Sequence, residues 1–154
     1  MPDTVARVLG IGAITGLRST AGAAALSRAI SAGRIGGLKD TPFAALGSPG
    51  VSTALRMMEI GEFIADKLPV TPSRTSLLPL LGRAACGALA GATLFVSEER
   101  RAEAGAVLGA LSAATAAYAG ESLRARIQEK LRVPDPIVGL LEDGIVLLGG
   151  RLLA

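Results

Sequence analysis

The sequence has no histidine and no tryptophan, and its 154 residues include one tyrosine, three phenylalanines and one cysteine. The absence of histidine removes the commonest metal ligand and the commonest general base. Cys86 has no second cysteine for an internal disulfide, and its setting among Ala and Gly favours packing over reactivity. Aromatic residues make up only 3% of the chain and the basic residues are scattered, a poor basis for nucleic-acid binding. We therefore expect no nucleic-acid partner, no cofactor and no metal.

Charge is also scarce, whereas small apolar residues are abundant. Charged residues make up 19% of the chain, hydrophobic residues 50%, and the mean hydropathy is +0.50. Soluble domains carry about 25% charged residues. This composition predicts one all-α domain over residues 1–154, a polytopic helix bundle in the cell inner membrane. The alternative is a soluble Ala-rich bundle, but the apolar runs 77–96 and 104–120 offer no polar face to water.

The apolar pattern predicts about five hydrophobic helices, some of them broken or re-entrant. They cover about Val5–Ala32, Val51–Leu68, Ser76–Val96, Ala104–Tyr118 and Ile137–Leu153. The first is interpreted as a helix rather than a cleaved signal peptide because Arg18 interrupts its apolar run, and it ends at the glycine-rich stretch 33–37. The fourth either stops near Tyr118 or continues to Arg132 as an amphipathic helix. Five crossings place the termini on opposite sides, and the loop charges favour a cytoplasmic N-terminus only slightly.

Several charged residues lie inside these apolar segments, where each costs about 3 kcal/mol. The candidate substrate- or ion-binding residues are Arg18, Ser19, Glu62, Asp66, Lys67, Arg83, Glu142 and Asp143. Glu62 lies deep and is expected either to pair with Arg18 or Arg83 or to bind a solute. Asp66 and Lys67 could instead reach lipid headgroups. Twice along the chain, a segment with glycine and arginine is followed by an acidic segment. This order leaves open an internal duplication like those of transporters.

Glycines recur at four-residue spacing in three of the predicted helices. The pairs are Gly12/Gly16, Gly87/Gly91 and Gly105/Gly109. This spacing lets helix backbones approach closely in lipid, so it predicts tight helix packing. Homodimerisation through any one pair does not follow from it. Five short helices enclose little volume, and for that reason we expect a homo-oligomer.

Four short stretches occur in a distinctive order. They are Gly16-Leu17-Arg18-Ser19, the segment from Glu62 to Pro69, Arg83 with its small-residue run, and Leu141-Glu142-Asp143. The chain resembles a family of small bacterial membrane proteins catalogued as a domain of unknown function, number 4126, and the resemblance covers most of the chain in the same order. The resemblance implies an integral membrane protein whose signature includes these charged positions, and it implies no activity. This chain departs from the family in its shortage of aromatic residues.

These features predict a small transporter or channel for an ion or small polar solute, with the lipid bilayer as its surroundings. Arg18 and Arg83 would contact an anionic group or neutralise the acids, and the acids would bind a cation or relay protons. The alternative is a structural or accessory membrane protein whose buried charges are salt bridges between helices. The sequence contains no nucleophile with an adjacent base and no phosphate-binding loop, so no enzymatic activity is predicted.

Overall fold

The computed structural model describes residues 3–65, 75–131 and 135–154, which contain α-helices and a 3₁₀ helix but no strand. The helices are α1 (Thr4–Leu17), α2 (Ala21–Ser31), a 3₁₀ helix (Pro42–Gly47), α3 (Pro49–Ala65), α4 (Leu77–Ser97), α5 (Ala102–Leu131) and α6 (Asp135–Leu153). The all-α prediction is confirmed. The fourth predicted helix does not stop near Tyr118 but continues to Leu131.

The prediction of one continuous first helix is wrong, because α1 and α2 are separated by a turn at residues 18–20. Arg18 has an extended backbone (φ −140°, ψ 119°). Ser19 and Thr20 follow, residue types whose side chains compete with the helical backbone for hydrogen bonds. The chain then reverses direction. The reversal is shown by Gly22 of α2, which packs against Ile11 and Thr15 of α1. We call α1, the turn and α2 the hairpin.

The second arm of the hairpin, α2, lies at the centre of the molecule. Every residue of 21–29 except Arg28 is buried, and α2 contacts α1, α3, α4 and α6. A helix with so wide an apolar face is buried on most sides, and its one charged residue, Arg28, is only half-buried. It ends as the glycine-rich stretch predicts: Gly33 has φ +71°, and Arg34 N–H donates to the Ala29 carbonyl at 2.9 Å. This is the Schellman arrangement of hydrogen bonds.

The helices α1, α4 and α5 pack closely through small residues. Gly87 and Gly91 of α4 face Gly105 and Gly109 of α5, and Gly12 and Gly16 of α1 also face α5. A Cβ built on Gly87 would lie 2.5 Å from the Gly109 carbonyl oxygen. Only glycine permits so close an approach of two backbones. All three predicted glycine pairs are therefore used for packing within one chain.

We call the two ends of the bundle proximal and distal, and identify each by the helices that start there. At the proximal end, where α1 starts, Arg7 Nη1 lies 3.1 Å from Glu98 Oε1, and Arg7 Nε donates to the Leu153 carbonyl at 3.1 Å. These contacts join the start of α1 to the ends of α4 and α6. At the distal end, where α4 and α6 start, Thr75 N–H donates to Glu121 of α5 at 3.1 Å.

The outer surface of the bundle is rich in large apolar side chains. Of the twenty exposed ones in the described ranges, nineteen lie on α3, α4, α5 and α6. Among the described residues, α4 is the one helix long and apolar enough to cross a membrane, while α1 is apolar but shorter. Helix length and composition thus support one crossing, fewer than the five predicted.

Candidate charged site at the tip of the hairpin

The turn of the hairpin holds a buried arginine. Arg18 is 3% exposed, and its Nε donates to Asp143 Oδ1 of α6 at 2.7 Å, while its Nη2 contacts the same oxygen. The guanidinium carbon lies 4.2 Å from the centroid of the Phe63 ring, a cation–π contact. Asp143 is 7% exposed. Arg18 therefore joins the hairpin to α3 and α6 through an ion pair shielded from solvent.

The carboxylate of Glu62 binds the same turn from α3. It accepts hydrogen bonds from Ser19 N–H at 2.8 Å, from Thr20 N–H at 3.0 Å and from the Thr20 hydroxyl at 2.7 Å. A negative charge is favoured at this position, just before the N-terminus of α2. The described contacts of Glu62 are thus hydrogen bonds from the turn and not an ion pair with Arg18 or Arg83, which was one of the two alternatives for this residue.

Arg83 of α4 completes the other side of the helix break. It is 5% exposed, and its Nη1 donates to the Gly16 carbonyl at 2.8 Å. In a continuous helix that carbonyl would accept from Thr20 N–H, four residues later. Here Glu62 accepts from the N–H and Arg83 donates to the carbonyl. An acid and a base from two other helices thus replace one backbone hydrogen bond that the turn removes.

Ion pairs outside the turn also join α2 to α3 and α5 to α6. Arg28 of α2 is 2.7 Å from Glu59 of α3, and Arg124 of α5 is 3.4 Å from Glu142 of α6. Glu142 and its neighbour Asp143 therefore have different partners. Sequence reasoning missed Arg28, although it carries the same signal as Arg18, a charge within an apolar run.

We call Arg18, Ser19, Thr20, Glu62, Phe63, Arg83 and Asp143 the tip site. Five of the eight predicted site residues come together in the structure: Arg18, Ser19, Glu62, Arg83 and Asp143. Glu142 lies beside α5 instead. Asp66 and Lys67 lie outside the described residues. Thr20 and Phe63 were not predicted. Within the described ranges, no three His, Cys, Asp or Glu side chains are grouped so as to hold a metal ion.

The tip site lies inside the bundle, closer to the distal end. Leu17 lies thirteen positions after Thr4 along α1, about 20 Å of helix. Arg83 lies six positions after Leu77 along α4, about 9 Å. The two Arg-bearing segments also differ in structure, because Arg18 lies in a break whereas Arg83 lies in a continuous helix. The two Arg-bearing segments are therefore not equivalent in local structure.

Comparison with known proteins gives one family and no individual relative. A family model described as "Domain of unknown function (DUF4126)" matches residues 5–154, essentially the whole chain. No curated protein and no solved structure matches. The matched range includes the hairpin, the tip site and all four remaining α-helices. The chain therefore belongs to the family of this domain of unknown function, DUF4126.

Proposed function

We propose that the protein is a multi-pass protein of the cell inner membrane that moves a small ion or polar solute through the tip site, working as a homo-oligomer. The observation that carries the proposal is the helix break at Arg18–Thr20. It places two arginines and two acids inside an apolar bundle, where charge is costly and is usually retained for a reason.

The distribution of polarity supports the membrane location. The charged side chains Arg18, Arg83 and Asp143 are buried, whereas Leu78, at 80% exposed, points outward. A soluble monomer rarely exposes apolar patches larger than a few hundred Å², so apolar side chains on four helices fit acyl chains better than water. The length and composition of α4 are consistent with this location.

The arrangement of the tip site supports a solute pathway. Transporters bind anionic groups at the N-termini of broken helices near the middle of the membrane. Here the Glu62 carboxylate lies at the N-terminus of α2, bound by Ser19 and Thr20. Release of this internal carboxylate would expose hydrogen-bond donors to an incoming anion and leave Glu62 available to a cation or proton. In this proposal the described conformation is the one without solute.

The test is ion flux into proteoliposomes. The purified protein is reconstituted with lumenal dyes that report H⁺, Na⁺, K⁺ or Cl⁻, and flux is compared with empty liposomes under an imposed gradient. We expect flux of at least one of these ions in the wild type and its loss in Glu62→Gln. The matched control is Glu103→Gln, because the Glu103 side chain is 77% exposed at the start of α5 and should not affect flux.

Both variants are checked for folding by size exclusion in detergent and by circular dichroism. Flux that persists in a folded Glu62→Gln protein would contradict a role for the tip site. The absence of flux for all four ions would contradict ion transport by the wild type.

A structural role is the second candidate, favoured by the observation that Arg18, Glu62 and Asp143 all have partners within the chain. In that case the charges hold the hairpin against α3, α4 and α6. The protein would then show no flux, and Glu62→Gln would lower stability without removing any transport. The exchange Arg18→Asp with Asp143→Arg would restore the stability that either single change removes.

A further inference from the structure

The exposed apolar side chains form a surface that we call the lipid belt. It comprises Met57, Met58, Ile60 and Ile64 of α3, Leu77, Leu78, Leu81 and Leu89 of α4, Val107, Leu111, Tyr118 and Leu123 of α5, and Ile137, Leu140, Leu141, Ile145, Leu147, Leu148 and Leu152 of α6. The hairpin contributes only one comparable side chain, Leu9 at 44% exposed. The hairpin is thus enclosed by the helices that carry the belt.

We infer that acyl chains cover this belt, that α3 to α6 cross the bilayer four times, and that the hairpin enters and leaves by one face, so that both termini lie on the same side. This inference rests on the membrane location proposed above. It replaces the five crossings that the sequence predicts, which would place the termini on opposite sides.

The length of the hairpin is the first argument. The fourteen residues of α1 span about 21 Å and the eleven of α2 about 17 Å, whereas a bilayer core is about 30 Å thick. Neither arm can cross alone, and the two cannot add their lengths because the chain reverses at Arg18–Thr20. The hairpin therefore ends within the bilayer, where its broken backbone is enclosed by protein as the hydrocarbon region requires.

The second argument is that the connections gather at the proximal end. The segment after α2 passes the end of α4, because a Cβ built on Gly37 would lie 2.7 Å from the Ser97 carbonyl oxygen. The end of α6 lies beside the start of α1, since Arg7 Nε donates to the Leu153 carbonyl. The N-terminus, the α2 connection, the α4–α5 loop and the C-terminus thus share one face.

The third argument is the length of the belt helices. The 21 residues of α4 span about 32 Å and the 19 of α6 about 29 Å, close to the bilayer core. The 17 residues of α3 reach about 26 Å. Its exposed Arg56 lies seven residues from the helix start, so the long side chain can reach the proximal headgroups. The 30 residues of α5 exceed the core, and its polar last turns extend beyond the distal face.

Cysteine accessibility in sealed vesicles tests the arrangement. In a Cys86→Ala background, single variants Asp3→Cys, Lys39→Cys, Arg151→Cys and Glu129→Cys are treated with a membrane-impermeant maleimide in right-side-out and inverted vesicles. We expect the first three to be labelled to the same extent in each vesicle type and Glu129→Cys to the complementary extent. This criterion holds for any unequal mixture of the two orientations. Labelling of Asp3→Cys in parallel with Glu129→Cys would overturn the inference.

Two controls distinguish an error in the hairpin topology from an error in the proposed membrane location. Extraction by alkaline carbonate would overturn both the membrane location and the hairpin topology, whereas retention in the membrane with Asp3→Cys opposite Arg151→Cys would overturn only the hairpin topology. Reporter fusions at either end of the otherwise unchanged chain measure the same property without internal substitutions. Green fluorescent protein and alkaline phosphatase are active on opposite sides of the membrane, so both ends must favour the same reporter.

Discussion

The interface between α4 and α5 leads to a quantitative prediction about Gly91. A Cβ built on Gly91 would clash with the Gly105 carbonyl group and lie 3.1 Å from Val8 Cγ1. The Gly105 atoms are backbone, so they cannot move aside by changing rotamer. We therefore expect Gly91→Ala to force α4 and α5 apart.

The magnitude follows from a comparison on the same helix. Gly82 also lies within α4, but a Cβ built there meets nothing within 4 Å. Replacing Gly by Ala in a helix raises stability by about 1 kcal/mol when there is room. Overpacking costs about 1–3 kcal/mol. The helix-propensity gain is common to both sites, so the free energy of unfolding of Gly91→Ala should be lower than that of Gly82→Ala by about 1–3 kcal/mol.

The measurement is unfolding in mixed micelles, followed by circular dichroism as the proportion of SDS rises. Wild type, Gly82→Ala and Gly91→Ala are titrated under identical conditions. We expect the midpoint to rise slightly for Gly82→Ala and to fall for Gly91→Ala. Equal stability of the two variants would refute close packing of the α4 and α5 backbones, and with it the argument that these glycines serve packing within the chain.

Two further predictions concern the tip site and use the same assay. Arg18→Met should lower the free energy of unfolding by about 3–5 kcal/mol, because it leaves the Asp143 carboxylate buried without its arginine. Thr20→Val should lower it by about 1.5–3 kcal/mol, because the nearly isosteric change removes the hydroxyl that donates to Glu62 at 2.7 Å.

Each of these variants has a matched control at the surface. Arg101 has a side chain that is 87% exposed, and Thr53 lies on the exposed side of α3. Arg101→Met and Thr53→Val should change stability by no more than about 0.5 kcal/mol. If Arg18→Met destabilised no more than Arg101→Met, the ion pair with Asp143 would not hold α6 to the hairpin. If Thr20→Val matched Thr53→Val, the Thr20 hydroxyl would not help to anchor Glu62.

Much of the helical architecture could be predicted from local chemistry. The apolar runs, the glycine-rich stop after α2 and the four-residue glycine spacing are local signals, and the structure uses each of them. The break at Arg18–Thr20 was not predicted, although its polar residues were recognised. A polar interruption of an apolar helix is compatible with a kink, a buried pair or a reversal. Which of these three structures forms depends on whether other helices can supply hydrogen-bond partners for the backbone N–H and carbonyl groups that a reversal removes from the helix.

The sequence by itself determined that this is an all-α chain, with charges in apolar segments and small residues where helices meet. Composition and short-range periodicity suffice for that, because both act through neighbouring residues. Only the tertiary structure decided which charges meet: Arg18 pairs with Asp143, and Glu62 and Arg83 bind the two sides of the broken helix. These partners are separated by tens of residues along the chain. Their pairing depends on the directions of the helices, and the reversal at the hairpin sets those directions.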